Sequence, residues 1–215
     1  MDKQRLGWRF WLVQVLTYIR LPLMLIWGFI ILVCFWRLHR IPADWFYITL
    51  VIMIVAAVTD LLDGWLARLF GVTTRLGAYG DPVMDKVYYT DSLLVLVALV
   101  CFQQQYGHAV LLICLTTLYL KRDHLVSMLR SIGALHNACA KAHWSGKLRT
   151  IISFPMIWII YAYLAAPPSF CLHFPGWSVY TLEVVGIGLT LLSLYKYTDK
   201  FFPLLKIEFT NFDAD

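Results

Sequence analysis

Residues 45–68 read WFYITLVIMIVAAVTDLLDGWLAR. No charge falls between Trp45 and Thr59; then two aspartates arrive three residues apart, and Arg68 follows. As a helix this stretch is about 36 Å long at about 1.5 Å per residue, enough to cross a hydrocarbon core of about 30 Å. Five more apolar stretches share its character, and together they run over 16–36, 45–68, 81–102, 108–130, 149–165 and 178–196. The breaks between them hold prolines, glycines and polar residues, as in HRIPADW, GVTTRLGAYGDP, QQQYGH and APPSFCLHFPGW.

The composition fits this reading. Of 215 residues, 60% are apolar and 14% charged, with a mean hydropathy of +0.70. A soluble domain carries about 25% charged residues, so this chain lacks the polar surface to face water. The expected fold class is therefore an all-α integral membrane protein with six transmembrane helices. Residues 4–15, QRLGWRFWLVQV, mix Arg5 and Arg9 with tryptophans, phenylalanine and leucine. That suits an N-terminal amphipathic helix lying in the membrane interface. The expected organisation is an interfacial helix over 1–15, a six-span domain over 16–200 and a C-terminal tail over 201–215. A basic N-terminus followed by an apolar stretch containing Arg20, without a small-residue cleavage site, does not read as a cleavable signal peptide.

Basic residues set the orientation. Sixteen of the 18 Lys and Arg flank the start of the first stretch, the second-to-third and fourth-to-fifth connections and the end of the sixth, leaving only Arg37 and Arg40 on the other side. The positive-inside rule then puts both termini in the cytoplasm. The net charge of +5 reports topology and headgroup contact here, not nucleic acid. The five cysteines, Cys34, Cys101, Cys114, Cys139 and Cys171, form no CxxC pair and are expected to be small buried hydrophobes.

Carboxylates stand where they are expensive. Asp60 and Asp63 are spaced i, i+3, and Asp81 and Asp85 i, i+4, so each pair lies on one helix face. The short connection between the pairs predicts antiparallel neighbouring helices whose acidic faces meet. Four bare carboxylates at low dielectric would repel strongly, so either their pKa values rise or a cation sits among them. An all-oxygen set suits Mg²⁺, Mn²⁺ or Ca²⁺ and not zinc, and four carboxylates suffice for a two-metal site that clamps phosphoryl transfer. Gly64 and Ala67 share the Asp60 stripe and leave room for a flat group, while Arg68 is placed to reach a phosphate. Two blander readings stand beside this one: an ion-pair network of Asp60, Asp63 and Arg68 that only joins helices, and an ion relay in a cation transporter.

The string Asp60-x2-Asp63-Gly64-x2-Ala67-Arg68-x8-Gly77-x3-Asp81-x3-Asp85 resembles the CDP-alcohol phosphatidyltransferase motif, with all eight positions and gaps present. The resemblance implies a six-span, dimeric membrane enzyme. Asp60, Asp63, Asp81 and Asp85 would bind two divalent metals, Mg²⁺ or Mn²⁺, with Asp85 also the general base. Asp63, Gly64, Ala67, Arg68 and Gly77 would lie at the CDP-diacylglycerol. A second likeness narrows the branch. Leu16-Thr17-x2-Arg20 is similar to the opening of the phosphatidylglycerophosphate synthase branch, which implies that Thr17 and Arg20 also approach the nucleotide lipid.

Further on, Arg122-Asp123-x5-Leu129-Arg130 and Ser145-Gly146-Lys147-x-Arg149-Thr150 resemble that branch's basic elements. Asp123 stands where Glu is usual and Arg149 where Lys is usual; both keep the charge. Arg122, Arg130, Lys147 and Arg149 together could hold the phosphate of an anionic acceptor. The expected activity is transfer of the phosphatidyl group from CDP-diacylglycerol to sn-glycerol 3-phosphate, with the site facing the cytoplasm or matrix and no nucleic-acid partner. Inositol phosphate, or phosphatidylglycerol as in cardiolipin synthesis, are alternative acceptors. Asp91 lies about 240° round the helix from Asp85 and is expected to bond a neighbouring helix. His124, His136 and His143 read as headgroup or loop residues, and Glu183 as an outer-side residue away from the site.

Overall fold

A computed structural model describes residues 7–72, 75–135 and 144–212, and all regular structure among them is helical. The helices are α1 (Trp8–Tyr18), α2 (Arg20–Leu38), α3 (Ala43–Phe70), α4 (Arg75–Phe102), α5 (Tyr106–Leu135), α6 (Trp144–Ala165) and α7 (Gly176–Phe212). Four segments are long and apolar enough to cross a membrane: Trp8–Leu38, Ala43–Phe70, Leu148–Ala165 and Gly176–Pro203. The other two expected spans fall on α4 and α5. Each is about 40–45 Å long at about 1.5 Å per residue. Their composition sets them apart, because α4 carries Asp85, Lys86 and Asp91, and α5 carries Lys121, Arg122, Asp123 and Arg130.

The distribution of polarity is that of a multi-pass membrane protein. Phe29, Trp36 and Leu61 are about 70% exposed, whereas Arg20, Asp63 and Glu183 are almost wholly buried. In lipid the outward surface must be apolar, and charges retreat to the protein interior where partners wait. The cysteines follow the same rule. Only Cys34 is buried; Cys101, Cys114 and Cys171 are exposed, contrary to expectation, and Cys139 lies outside the described residues. A thiol facing lipid loses no hydration, so burial within protein is not required of it.

The chain divides into two units, described separately. The first comprises Met1–Gln104 with Ala165–Cys171. Its α2 buries one stripe: Arg20, Met24, Trp27, Ile31 and Cys34 with Phe35. Its α3 buries another, from Phe46 through Thr49, Met53, Ala56 and Thr59 to Asp63. Both repeat at three to four residues, the period of a helix face. Each stripe is uncharged but for one end, and packing the stripes brings Arg20 to Asp63. Helices α1 and α2 meet at Ile19, so Thr17 sits on α1 and Arg20 opens α2.

Helices α1 and α2 pack against both α3 and α4. Asp60 of α3 and Asp85 of α4 do come together, and a cation from α2, Arg20, binds both. Gly80 marks the close approach of α1 to α4, since a Cβ there would lie 2.8 Å from the Tyr18 hydroxyl. Helix α3 ends at Gly71, whose φ of 62° is left-handed, with the Val72 amide donating to the Ala67 carbonyl at 3.1 Å.

The second unit comprises Gln105–Leu164 with Leu172–Asp215, and in it α5 packs on α7. Leu112, Leu115, Tyr119, Arg122, Val126 and Leu129 form the buried stripe of α5. Val179, Glu183, Thr190, Ser193, Tyr197 and Phe201 form that of α7. Again ionisable residues lie in register with the apolar ones. Helix α7 continues through Pro203 to Phe212, so the stretch expected as a tail begins as helix.

Candidate active site

Arg20 is the centre of the first unit's polar cluster. Its guanidinium is about 1% exposed and reaches three carboxylates from two helices. Nη1 donates to Asp60 Oδ1 and, at 2.9 Å, to Asp85 Oδ1, and Nη2 donates to Asp63 Oδ2 at 2.8 Å. Nε donates to the Thr17 carbonyl at 3.3 Å. The Thr17 hydroxyl, 2.9 Å from Asp63 Oδ2, adds a second donor to that carboxylate. Motif positions far apart in sequence thus form one network: Thr17 from α1, Arg20 from α2, Asp60 and Asp63 from α3, and Asp85 from α4.

The partner of the carboxylates is Arg20 and not Arg68, which is exposed in the last turn of α3. A Cβ built on Gly64 meets nothing within 4 Å, and Ala67 is half-buried, so the face beside Asp60 is open to a flat ligand. Gly77 and Asp81 fall within α4 and Lys147 within α6, and the side chains of Asp81 and Lys147 lie outside what the structure describes. Asp91 lines an apolar groove of about 630 Å³ between α2 and α4 with Met24, Gly28, Phe29 and Val95, and takes no part in the cluster.

The three carboxylates differ in access. Asp63 is about 3% exposed, and one of its oxygens accepts from both Thr17 and Arg20. Asp60 is about 26% exposed and Asp85 about 40%. The open carboxylate is the one that can meet a second substrate. Among the described residues no three acidic, His or Cys side chains form a ready metal cage; Asp60, Asp63 and Asp85 share a guanidinium instead. Their donor chemistry nevertheless fits a hard divalent ion. All donors are oxygens, and they already converge on one cation.

The second unit holds a buried basic cluster. Asp123 Oδ1 accepts from Arg122 Nη1 at 2.8 Å and pairs with Arg149 Nη2 at 3.0 Å. Arg122 also donates from Nε and Nη2 to Ser193 Oγ, at 3.1 and 2.7 Å. Arg130 Nη2 donates to the Tyr197 hydroxyl at 2.7 Å. The Arg149 guanidinium lies 4.6 Å from the centre of the Tyr119 ring, whose hydroxyl bonds Ser153. Among the described residues, three buried nitrogens of the cluster have no partner: Arg130 Nε, Arg149 Nε and Arg149 Nη1. Arg122 and Arg149 share the carboxylate of Asp123 and Arg130 has only the Tyr197 hydroxyl, so the cluster carries excess positive charge and unspent donors, the requirements of an anion site.

Sequence reasoning missed several of these residues. Ser193, Tyr197 and Tyr119 lie in stretches that read as ordinary membrane helix. Another is His108, whose Nε2 lies 2.7 Å from Glu183 Oε1 in a fully buried pair. The one available signal was an ionisable residue opening each of two apolar segments.

Comparison with known proteins agrees with the motif. The sequence profile of the CDP-alcohol phosphatidyltransferase family matches residues 10–192. Three relatives are each named CDP-diacylglycerol–glycerol-3-phosphate 3-phosphatidyltransferase. The chain is 37% identical to that of Cereibacter sphaeroides over 129 residues, 60% of this chain and 55% of the relative's length. It is 31% identical to that of Escherichia coli K12 over 160 residues, 73% of this chain and 80% of the relative. It is 32% identical to that of Pseudomonas fluorescens over 178 residues, 80% of this chain and 84% of the relative. With three of the motif's aspartates on one network and the profile spanning residues 10–192, this chain belongs to the CDP-alcohol phosphatidyltransferase family.

Proposed function

We propose that this phosphatidyltransferase moves the phosphatidyl group from CDP-diacylglycerol to sn-glycerol 3-phosphate, releasing CMP and forming phosphatidylglycerophosphate. The buried basic cluster carries the acceptor assignment: Arg130 and Arg149 hold unpaired N–H groups that suit an anionic acceptor, and serine or a neutral alcohol would leave them unsatisfied. The names of the relatives favour glycerol 3-phosphate over inositol phosphate as that anion.

In this reading CDP-diacylglycerol lies along the open face of α3 at Gly64 and Ala67, with Gly77 close by and its acyl chains in the bilayer. Arg68 pairs with the nucleotide phosphate. Asp60, Asp63, Asp81 and Asp85 hold two divalent ions, Mg²⁺ or Mn²⁺, which when bound supply Lewis-acid stabilisation of the diphosphate. Thr17 and Arg20 keep Asp60, Asp63 and Asp85 turned toward one another. Asp85, the most accessible carboxylate, takes the proton from the acceptor hydroxyl. The acceptor oxygen then bonds to the phosphorus next to diacylglycerol, and the bond from that phosphorus to the bridging oxygen breaks, so that CMP leaves. Arg130, Lys147 and Arg149 hold the acceptor's phosphate, and Arg122 anchors the cluster.

The charge distribution supports six spans with both termini and the site on the cytoplasmic or matrix side. A homodimer follows from the family resemblance.

The test is a split between two Michaelis constants. Arg149→Ala and Arg130→Ala are each expected to raise KM for glycerol 3-phosphate about 10-fold or more, because a charge-assisted hydrogen bond contributes about 1.5–3 kcal/mol. KM for CDP-diacylglycerol should stay within about 2-fold, the scatter expected where no contact is lost. A rise in the donor constant, or no change in either, contradicts the acceptor assignment.

A further inference from the structure

The basic cluster is held from α7, a helix on which sequence and family motif place nothing. Ser193 and Tyr197 are four residues apart, on one face of α7, and both are fully buried. Ser193 accepts two bonds from Arg122, and Tyr197 accepts one from Arg130. The centre of the Tyr197 ring also lies close to two guanidiniums, 5.1 Å from that of Arg122 and 5.4 Å from that of Arg130. Two like charges at one ring repel each other, and the electron-rich ring face and hydroxyl offset that repulsion while fixing where each can point.

The ring itself is immobilised. Tyr197 belongs to a buried apolar cluster with Val126, Leu129 and Phe201. On the remaining side stands Gly146, where a Cβ would lie 3.1 Å from Arg122 Nη2 and 3.3 Å from the Tyr197 hydroxyl. That close approach explains the glycine in Ser145-Gly146-Lys147 on steric grounds. The consequence for Arg130 is specific. One terminal nitrogen is committed to Tyr197, while Nε is buried and unpartnered. A guanidinium is planar and rigid, so fixing one nitrogen fixes the direction of the others.

We propose that Ser193 and Tyr197 are positioning residues for acceptor recognition, holding Arg122 and Arg130 so that the free edge of Arg130 is presented to the phosphate of the acceptor. This rests on the acceptor reading above and adds α7 to it.

The experiment uses the full-length purified protein and measures both Michaelis constants, kcat and thermal stability. Tyr197→Phe keeps the ring and removes only the acceptor of the Arg130 bond. It is expected to raise KM for glycerol 3-phosphate about 10-fold, with kcat and KM for CDP-diacylglycerol within about 2-fold. Ser193→Ala should act in the same direction, and Ser193→Thr, which restores a hydroxyl, should recover most of the loss. In the Arg130→Ala background Tyr197→Phe should add less than about 2-fold, because it acts through the missing side chain.

Full multiplicativity of Tyr197→Phe with Arg130→Ala overturns the proposal, as does a parallel rise in the donor constant. If Arg130→Ala raises the acceptor constant and Tyr197→Phe does not, the positioning role alone falls. If Arg130→Ala leaves the acceptor constant unchanged, the acceptor reading falls and takes the positioning role with it. A fall in kcat with a lower melting temperature, unrelieved by Ser193→Thr, assigns the two residues to packing and also overturns the proposal.

Discussion

Asp85→Asn is expected to lower kcat by about 10²–10⁴-fold, the usual loss for a general base. The substitution is nearly isosteric. An amide oxygen can still accept from Arg20 Nη1, which in the wild type lies 2.9 Å from Asp85 Oδ1, so the network around Arg20 should survive. What disappears is the capacity to take a proton. Binding of CDP-diacylglycerol should therefore fall far less than turnover. Asp63 makes the informative contrast. It is buried and bonded to both Thr17 and Arg20, so Asp63→Asn should disturb the network itself and weaken donor binding and stability together with rate. Single-turnover kinetics alongside donor binding separate the two. Equal losses of binding and rate in Asp85→Asn would remove that residue from the role of base.

Chelation should have an effect of similar size. EDTA is expected to reduce CMP release at least about 10³-fold, since Lewis-acid stabilisation supplies several kcal/mol, and Mg²⁺ or Mn²⁺ should restore it. The loss should occur without unfolding. Arg20 pairs with Asp60, Asp63 and Asp85 by itself, so the acidic residues keep a counter-charge when divalent ions are withdrawn. The melting temperature in EDTA should accordingly remain cooperative and recoverable. Full turnover in chelator would contradict a metal role for the aspartates.

The two effects trace to features of unequal visibility in the sequence. Helix spacing alone puts Asp60 and Asp63 on one face, and a run of uncharged residues before them marks the helix that carries them. Their partner could not be read the same way. Arg68, five residues from Asp63, is the partner that a helix-joining ion pair would use, whereas Arg20 is 43 residues away on another helix. Periodicity tells which side of a helix is buried but not which helix that side meets. Only after packing does the end of the α2 stripe fall against the end of the α3 stripe. The same gap hid Ser193 and Tyr197, because a serine and a tyrosine in an apolar helix carry no sign that arginines from α5 will bond to them. Membrane character was legible because it is a property of composition. The α4 and α5 segments are less apolar than the four candidate spans, since charged residues interrupt them.

The central claim is transfer of a phosphatidyl group to a phosphorylated acceptor. It is tested most directly by incubating the purified protein in detergent micelles with CDP-diacylglycerol and Mg²⁺, with no ion gradient. Glycerol 3-phosphate, inositol 1-phosphate, serine or phosphatidylglycerol is offered in parallel while CMP release is followed. The expected result is rapid CMP release with glycerol 3-phosphate, matched mole for mole by phosphatidylglycerophosphate, and little with the other three. Equal or faster release with serine or phosphatidylglycerol, or none with any acceptor, would contradict it.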